Sequence, residues 1–152
     1  MKFRTLAAAA VAFAFVVGFT DFASAQVQMS DGVKKLYDAA KKEGEITWVT
    51  SQSNAEYAED VAKDFTKHYP GVKVNMVRTT GQVQYQRLTQ EIKSNTVSVD
   101  VYSTYEETHL VELKKQNQIL NFKPENAAGL VGSLKEVAEE GYWYPTAVSP
   151  VA

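Results

Sequence analysis

Apolar residues follow three different rhythms along this chain, and each predicts a different kind of segment. From Leu6 to Phe19 they are almost continuous, with Lys2 and Arg4 before them and Ala23-Ser24-Ala25 after. A basic start, a short apolar core and an A-x-A exit predict a secretory signal peptide over residues 1–25, cleaved after Ala25. The run is shorter than the ~20 apolar residues that cross a bilayer, and Thr20-Asp21 follows it rather than a basic cluster. The working protein is therefore expected to start at Gln26, to reach the periplasm and to keep no stable membrane anchor.

Downstream the rhythm becomes helical and strand-like by turns. Ser30-Asp31 caps a predicted helix with Val33, Leu36, Tyr37 and Ala40 on one face, ended by Gly44. Ile46 to Thr50 is short, β-branched and aromatic, hence a strand. Ser53-Asn54-Ala55-Glu56 has capping-box spacing. Behind it Tyr57, Val61 and Phe65 recur as a stripe, with Ala58 and Ala62 beside them, until Tyr69-Pro70-Gly71 stops the helix. Val72 to Val77 alternates as a second strand. Thr79-Thr80-Gly81 turns into a helix over about 83–94 that faces Tyr85, Leu88 and Ile92 inward. Val97 to Tyr102 is the third strand. Ser103-x-x-Glu106 and Thr104-x-x-Glu107 both match the capping box ahead of a helix carrying Leu110 and Leu113. From Asn121 to Gly132 the pattern fades to loop, with a short helix after Gly129. Tyr142 to Tyr144 reads as a strand or edge, and Ala147 to Ala152 as the beginning of another.

Strands alternating with helices predict an α/β fold, with a mainly parallel sheet covered by helices on both faces. All three strand-to-helix loops then leave the carboxyl edge, where open sheets of this kind bind ligands. The candidate ligand-binding residues are Thr50, Ser51, Gln52 and Ser53 in the first loop, Thr79, Thr80 and Gly81 in the second, and Ser103, Thr104 and Tyr105 in the third. Hydroxyls and amides at helix starts suit a small polar or anionic solute. Capping alone accounts for any one of these loops; their convergence on one edge makes the case for a site. Tyr102, Tyr105, Tyr142, Trp143 and Tyr144 serve either packing or stacking on a ligand.

Charge and composition narrow the partners. Lys2 and Arg4 are two of 16 basic residues and Asp21 one of 18 acidic ones, so the exported part stays slightly negative. That is no footprint for nucleic acid. With no cysteine the domain has no disulfide, thiolate metal site, thiol nucleophile or lipidated cysteine. The two histidines, His68 and His109, make no poly-histidine metal site. His109 lies one turn beyond Glu106 and reads as a solvated helical residue, and His68 as a partner of a helix end. Neither a G-x-S-x-G elbow, a G-x-x-x-x-G-K loop nor an H-E-x-x-H pair occurs, so neither enzyme chemistry nor a cofactor is expected.

Four stretches carry a family resemblance: LYDAAKKEGEITWVTSQS, DFTKHYPGVKVNMVRTTG, VDVYSTYEETHLVELKKQNQIL and GYWYPTAVSPVA. They resemble the N-terminal lobe of periplasmic solute-binding proteins of ABC transporters, in the family that includes ferric-ion, polyamine, thiamine and phosphonate binders. The resemblance implies a periplasmic-binding-protein-like lobe over residues 26–146. It implies residues 147–152 as the start of a crossover strand to a second lobe, and hence a chain truncated before that lobe. It also implies a small-molecule solute and an ABC transporter permease as partners. Ferric binders place a histidine at the first loop–helix junction and a carboxylate just after the third strand. The matching positions are Asn54 and Tyr105, with Glu106 one residue on, which counts against iron. The alternative is an exported single lobe that binds a protein through a bare apolar edge, without solute transport.

Overall fold

The structure, a computed structural model, describes residues 29–146. The expected signal peptide and the crossover strand at 147–152 lie outside the described residues. α1 (Asp31–Glu43) starts at Ser30, whose Oγ accepts the Val33 N–H at 3.2 Å, and ends at Gly44, where φ is +83°. No residue of α1 is buried, and Leu36 is 56% exposed although its spacing placed it inward. The helix docks through Tyr37 instead. Its hydroxyl donates to Pro70 O at 2.6 Å, and its ring meets Tyr69 edge-on at 5.4 Å.

β1 (Glu45–Thr50) lies between β2 (Lys73–Arg78) and β3 (Val101–Ser103), all parallel. Register runs from Glu45 opposite Lys73 to Thr50 opposite Arg78, and from Trp48 opposite Val101 to Thr50 opposite Ser103. α2 (Ala55–His68) carries the chain from β1 to one flank and α3 (Gly81–Ser94) carries it back past β1 to the other. Right-handed crossovers in opposite directions put these helices on opposite faces. Val49 and Thr50 point to opposite faces of the central strand, and both are buried, at 5% and 0% exposure. The sheet is thus covered on both sides.

α2 is rotated relative to the expected stripe. Tyr57 and Val61 are exposed, while Ala58 is fully buried and Ala62 and Phe65 are half-buried. Positions 58, 62 and 65 also share a helical face. The small alanines at two of them let the helix lie close to the sheet, and larger neighbours would hold it off.

β3 is shorter than the expected 97–102 strand because polar side chains take over its pairing. The Asp100 carboxylate accepts the Thr47 N–H at 2.7 Å, and the Asp100 N–H donates to Thr47 O at 3.1 Å. Glu91 draws the preceding segment toward α3 by accepting the Ser98 N–H at 3.0 Å and the Ser98 hydroxyl at 2.9 Å. Burial works to raise the Glu91 carboxyl pKa. The bonds from the Ser98 N–H, Arg87 and the Ser98 hydroxyl outweigh it and hold the group below its ordinary value. A carboxyl depressed in the folded state stabilises above its unfolded pKa, and the contribution fades as pH falls through the folded value. Urea midpoints are therefore expected to drop more steeply below the ordinary value of 4.5 in the native chain than in Glu91→Gln. Parallel pH profiles for the two proteins would contradict this.

α4 (Glu107–Lys115) follows β3 and buries Leu113 at 2% exposure. A 3-10 turn spans Glu125–Gly129, and α5 (Ser133–Ala138) is the short helix expected after Gly129. Residues 142–144 form no strand. Side chains hold them: the Lys114 ammonium lies 4.6 Å from the Tyr142 ring centre and pairs with Glu140, and the Tyr144 hydroxyl donates to Phe122 O at 2.7 Å. Between these parts and the outer side of β3, which pairs with no strand among the described residues, lies a groove of about 480 Å³, walled in part by Leu88, Ile92, Leu110, Leu113 and Trp143. No helix among the described residues is long and apolar enough to cross a membrane.

Candidate functional site

Parallel strands end together, so the loops after β1, β2 and β3 share one edge, and hydrogen bonds lace them to each other. The Ser51 N–H donates to Ser103 O at 3.1 Å and the Thr79 N–H to Thr50 O at 3.2 Å. Gln52 reaches across to the third loop, its Nε2 donating to Thr104 O at 2.8 Å, and Tyr105 donates its hydroxyl to Gln52 O. Thr146 donates to Gln52 Oε1 at 3.2 Å, which ties the end of the described chain to the same edge. Arg78 Nε donates to Ser53 O at 2.9 Å. All ten candidate residues lie on this edge, but several are committed to the fold. Thr50 is fully buried and its hydroxyl accepts the Gln52 N–H at 3.2 Å. Ser103 accepts the Trp48 indole N–H at 3.0 Å.

The helix starts differ from the capping boxes read in the sequence. Asn54, not Ser53, caps α2, with Oδ1 accepting the Tyr57 N–H at 2.8 Å. This leaves Ser53 Oγ buried and without a partner among the described residues. Thr80 caps α3 through the Val83 N–H at 3.4 Å. Neither box forms ahead of α4. The Thr104 hydroxyl turns on the residue two positions on, accepting the Glu106 N–H at 3.1 Å and donating to the Glu106 carboxylate. With Thr104 so engaged and Ser103 taken by Trp48, α4 begins without a side-chain cap.

Two residues outside the candidate set complete the edge. Gln84, 2% exposed, sends Nε2 to Ser103 O at 3.0 Å and to Ser51 Oγ at 3.3 Å, joining the first and third loops from the first turns of α3. Ser103 O only accepts, so the amide must face it with nitrogen. Oε1 is left buried without a donor among the described residues. The signal was present in the sequence: Gln84 precedes Leu88 and Ile92 at four-residue steps, a polar residue on the inward stripe. The second is Glu106, whose carboxylate lies against Gly81, so that a Cβ there would collide with it. Gly81 is needed for this close approach.

The aromatic residues nearest the third loop pack on each other. His109 stacks on Tyr85 with ring centres 4.0 Å apart and planes at 2°, and its Nδ1 lies 3.3 Å from the Tyr102 hydroxyl. Burial pushes the Tyr102 phenol above its ordinary range. Tyr105 is exposed. Among the described residues no group of three or more His, Cys, Asp or Glu side chains is placed to hold a metal ion. The edge offers hydroxyls, amides, one carboxylate and one guanidinium, a donor and acceptor set for holding a polar molecule by hydrogen bonds.

A family model for bacterial extracellular solute-binding proteins matches residues 48–151, from within β1 through all three loops. Among curated proteins none matches the chain.

Proposed function

The chain belongs to the bacterial extracellular solute-binding proteins, and from that premise we propose that it is the solute-binding component of an ABC importer, holding a small polar solute in the periplasm for a membrane permease. In this reading residues 1–25 direct export, residues 26–146 form the N-terminal lobe, and binding proceeds without covalent chemistry. The observation that carries it is the meeting of three hydroxyl- and amide-bearing loops at one edge of a parallel sheet, the first bonded to the third through Ser51, Gln52 and Ser103 and to the second through Thr50 and Thr79. Thr50, Ser51, Gln52, Ser53, Thr79, Thr80, Gly81, Ser103, Thr104 and Tyr105 are the residues assigned to it.

Thermal melting against a panel of sugars, amino acids, amines and oxyanions tests the proposal. A ligand that binds only the folded state adds about 2.7 kcal/mol when present at a hundred times its dissociation constant. At least one class is expected to raise the melting temperature with a saturating dose response, and Ser51→Ala with Thr104→Ala should weaken it. A flat response across the panel would count against solute binding. It would favour a protein partner instead, for which the apolar groove beside β3, an edge strand among the described residues, is the specific observation.

A further inference from the structure

We propose that His109 is a pH-operated latch on the loop edge: its protonation turns the Tyr102 hydroxyl from His109 to Gln84 Oε1 and so completes the bridge that Gln84 makes between the first and third loops. The latch works with or without a solute. Its three side chains come from three elements, His109 from α4, Tyr102 from β3 and Gln84 from α3. His109 Nδ1 lies 3.3 Å from the Tyr102 hydroxyl. The Gln84 side chain is a second hydrogen-bonding neighbour of that hydroxyl, and Thr104 a third. Thr104 Oγ1 is already engaged twice, by the Glu106 N–H and by the Glu106 carboxylate. Gln84 Oε1 is buried and has no donor among the described residues. Nε2 of the same amide is taken by Ser103 O and Ser51 Oγ, so the group cannot turn round to offer nitrogen to the phenol.

A phenol has one proton to give. While His109 is neutral with its hydrogen on Nε2, Nδ1 accepts the Tyr102 proton and Gln84 Oε1 goes without. A proton taken up from solvent at Nδ1 makes both ring nitrogens donors. The Tyr102 oxygen then accepts from Nδ1–H, and its own O–H is released toward the one acceptor left over, Oε1. Gln84 is thereby held at both ends of its amide, and the two loops it joins are fixed more firmly. Burial holds the Tyr102 phenol above its ordinary range, so it remains an O–H donor throughout. Histidine is the side chain suited to change charge between about pH 5 and 8. His109 is half-buried, so solvent reaches it. Its ring lies flat on Tyr85, with centres 4.0 Å apart and planes at 2°, and an aromatic face attracts a cation. The titratable and charged groups set around it are Tyr85 on α3, Tyr102 on β3, and Glu106 and Glu112 one turn to either side along its own segment. Of these carboxylates Glu106 is near enough to act on the Tyr102 phenol.

NMR on the ¹⁵N-labelled chain, titrated from about pH 8 to 5, tests the latch. The Gln84 side-chain amide signal is expected to move along a one-proton curve with the same midpoint as the His109 ring signals. In Tyr102→Phe the His109 ring should still titrate while the Gln84 movement is lost, because the packing ring stays and only the hydroxyl goes. His109→Phe keeps an aromatic ring against Tyr85 and should leave the Gln84 signal flat as well. A Gln84 signal that stays in place while His109 titrates, or that follows a different midpoint, overturns the latch. So does a movement that survives Tyr102→Phe, which would mark a bare field effect of the new charge. The comparison of midpoints in the unaltered chain needs neither variant, so the latch can be refuted even where a variant fails to fold. No solute enters any of these measurements, and solute binding stands or falls separately.

Discussion

Gln84→Ala is expected to lower the unfolding free energy by about 3 kcal/mol. The substitution removes the donor that Ser103 O and Ser51 Oγ share and leaves a hole in a side chain's place that is 2% exposed. Gln84→Leu fills most of that volume. It also deletes the Oε1 atom that is buried without a partner among the described residues, so part of the lost bonding is offset and a cost nearer 1 kcal/mol is expected. Urea unfolding at an unchanged slope measures both. If the two variants lose equal stability, the amide does not link the loops in the way described. Because the residue joins the first and third loops, Gln84→Ala should also speed amide exchange at Ser51, which a purely local cavity elsewhere on α3 would not do.

Leu113→Ala should cost about as much, for a different reason. Leu113 is 2% exposed and is the buried residue of α4. Leucine truncation in a core costs about 2–5 kcal/mol, depending on how far the site can relax. Here the residue borders the groove beside β3, so the space left behind opens to that groove instead of forming a sealed void. The expected loss is therefore about 3 kcal/mol rather than the top of the range. Against a total of about 5–15 kcal/mol for a domain, this is a large fraction, and α4 should exchange its amides early. A loss under about 1 kcal/mol would mean that α4 is held by Lys114 and its partners rather than by Leu113.

The elements legible in the sequence are those set by local patterns. Ser30 and Gly44 bracket α1, Pro70-Gly71 ends the second helical region, and the alternation of strands and helices leads to the parallel sheet with its loops on one edge. The misreadings arise where a distant group decides. Capping-box spacing before α4 was overridden because Trp48, far back in the chain, takes the Ser103 hydroxyl and Thr104 turns on Glu106. The third strand was shortened by Asp100 reaching Thr47 and by Glu91 reaching Ser98. Tyr57 was placed inward by period alone, whereas the closeness allowed by Ala58 chose the other stripe. At the site, hydroxyl-rich loops were visible by composition. Gln84 was not singled out for it, and Glu106 only as a capping residue and as the neighbour of a position where ferric binders carry a ligand, since the role of each depends on side chains brought together by the fold.

The position of β1 also sets an order of assembly. It is the first strand made and the central one, so it has no neighbour until the chain has run through α2. The Asn75–Glu45 bond closes over 30 positions and the Thr47–Asp100 bond over 53. Contacts of such separation form slowly, because loop-closure entropy is lost before pairing returns anything. α1 and α2, whose backbone bonds are local, have no such wait. As the chain lengthens from its N-terminus, helices come first, the β1–β2 pair second, and the third strand last. The edge where the three loops meet therefore exists only when residue 103 has joined the sheet, and any solute-holding capacity of these loops waits on that step.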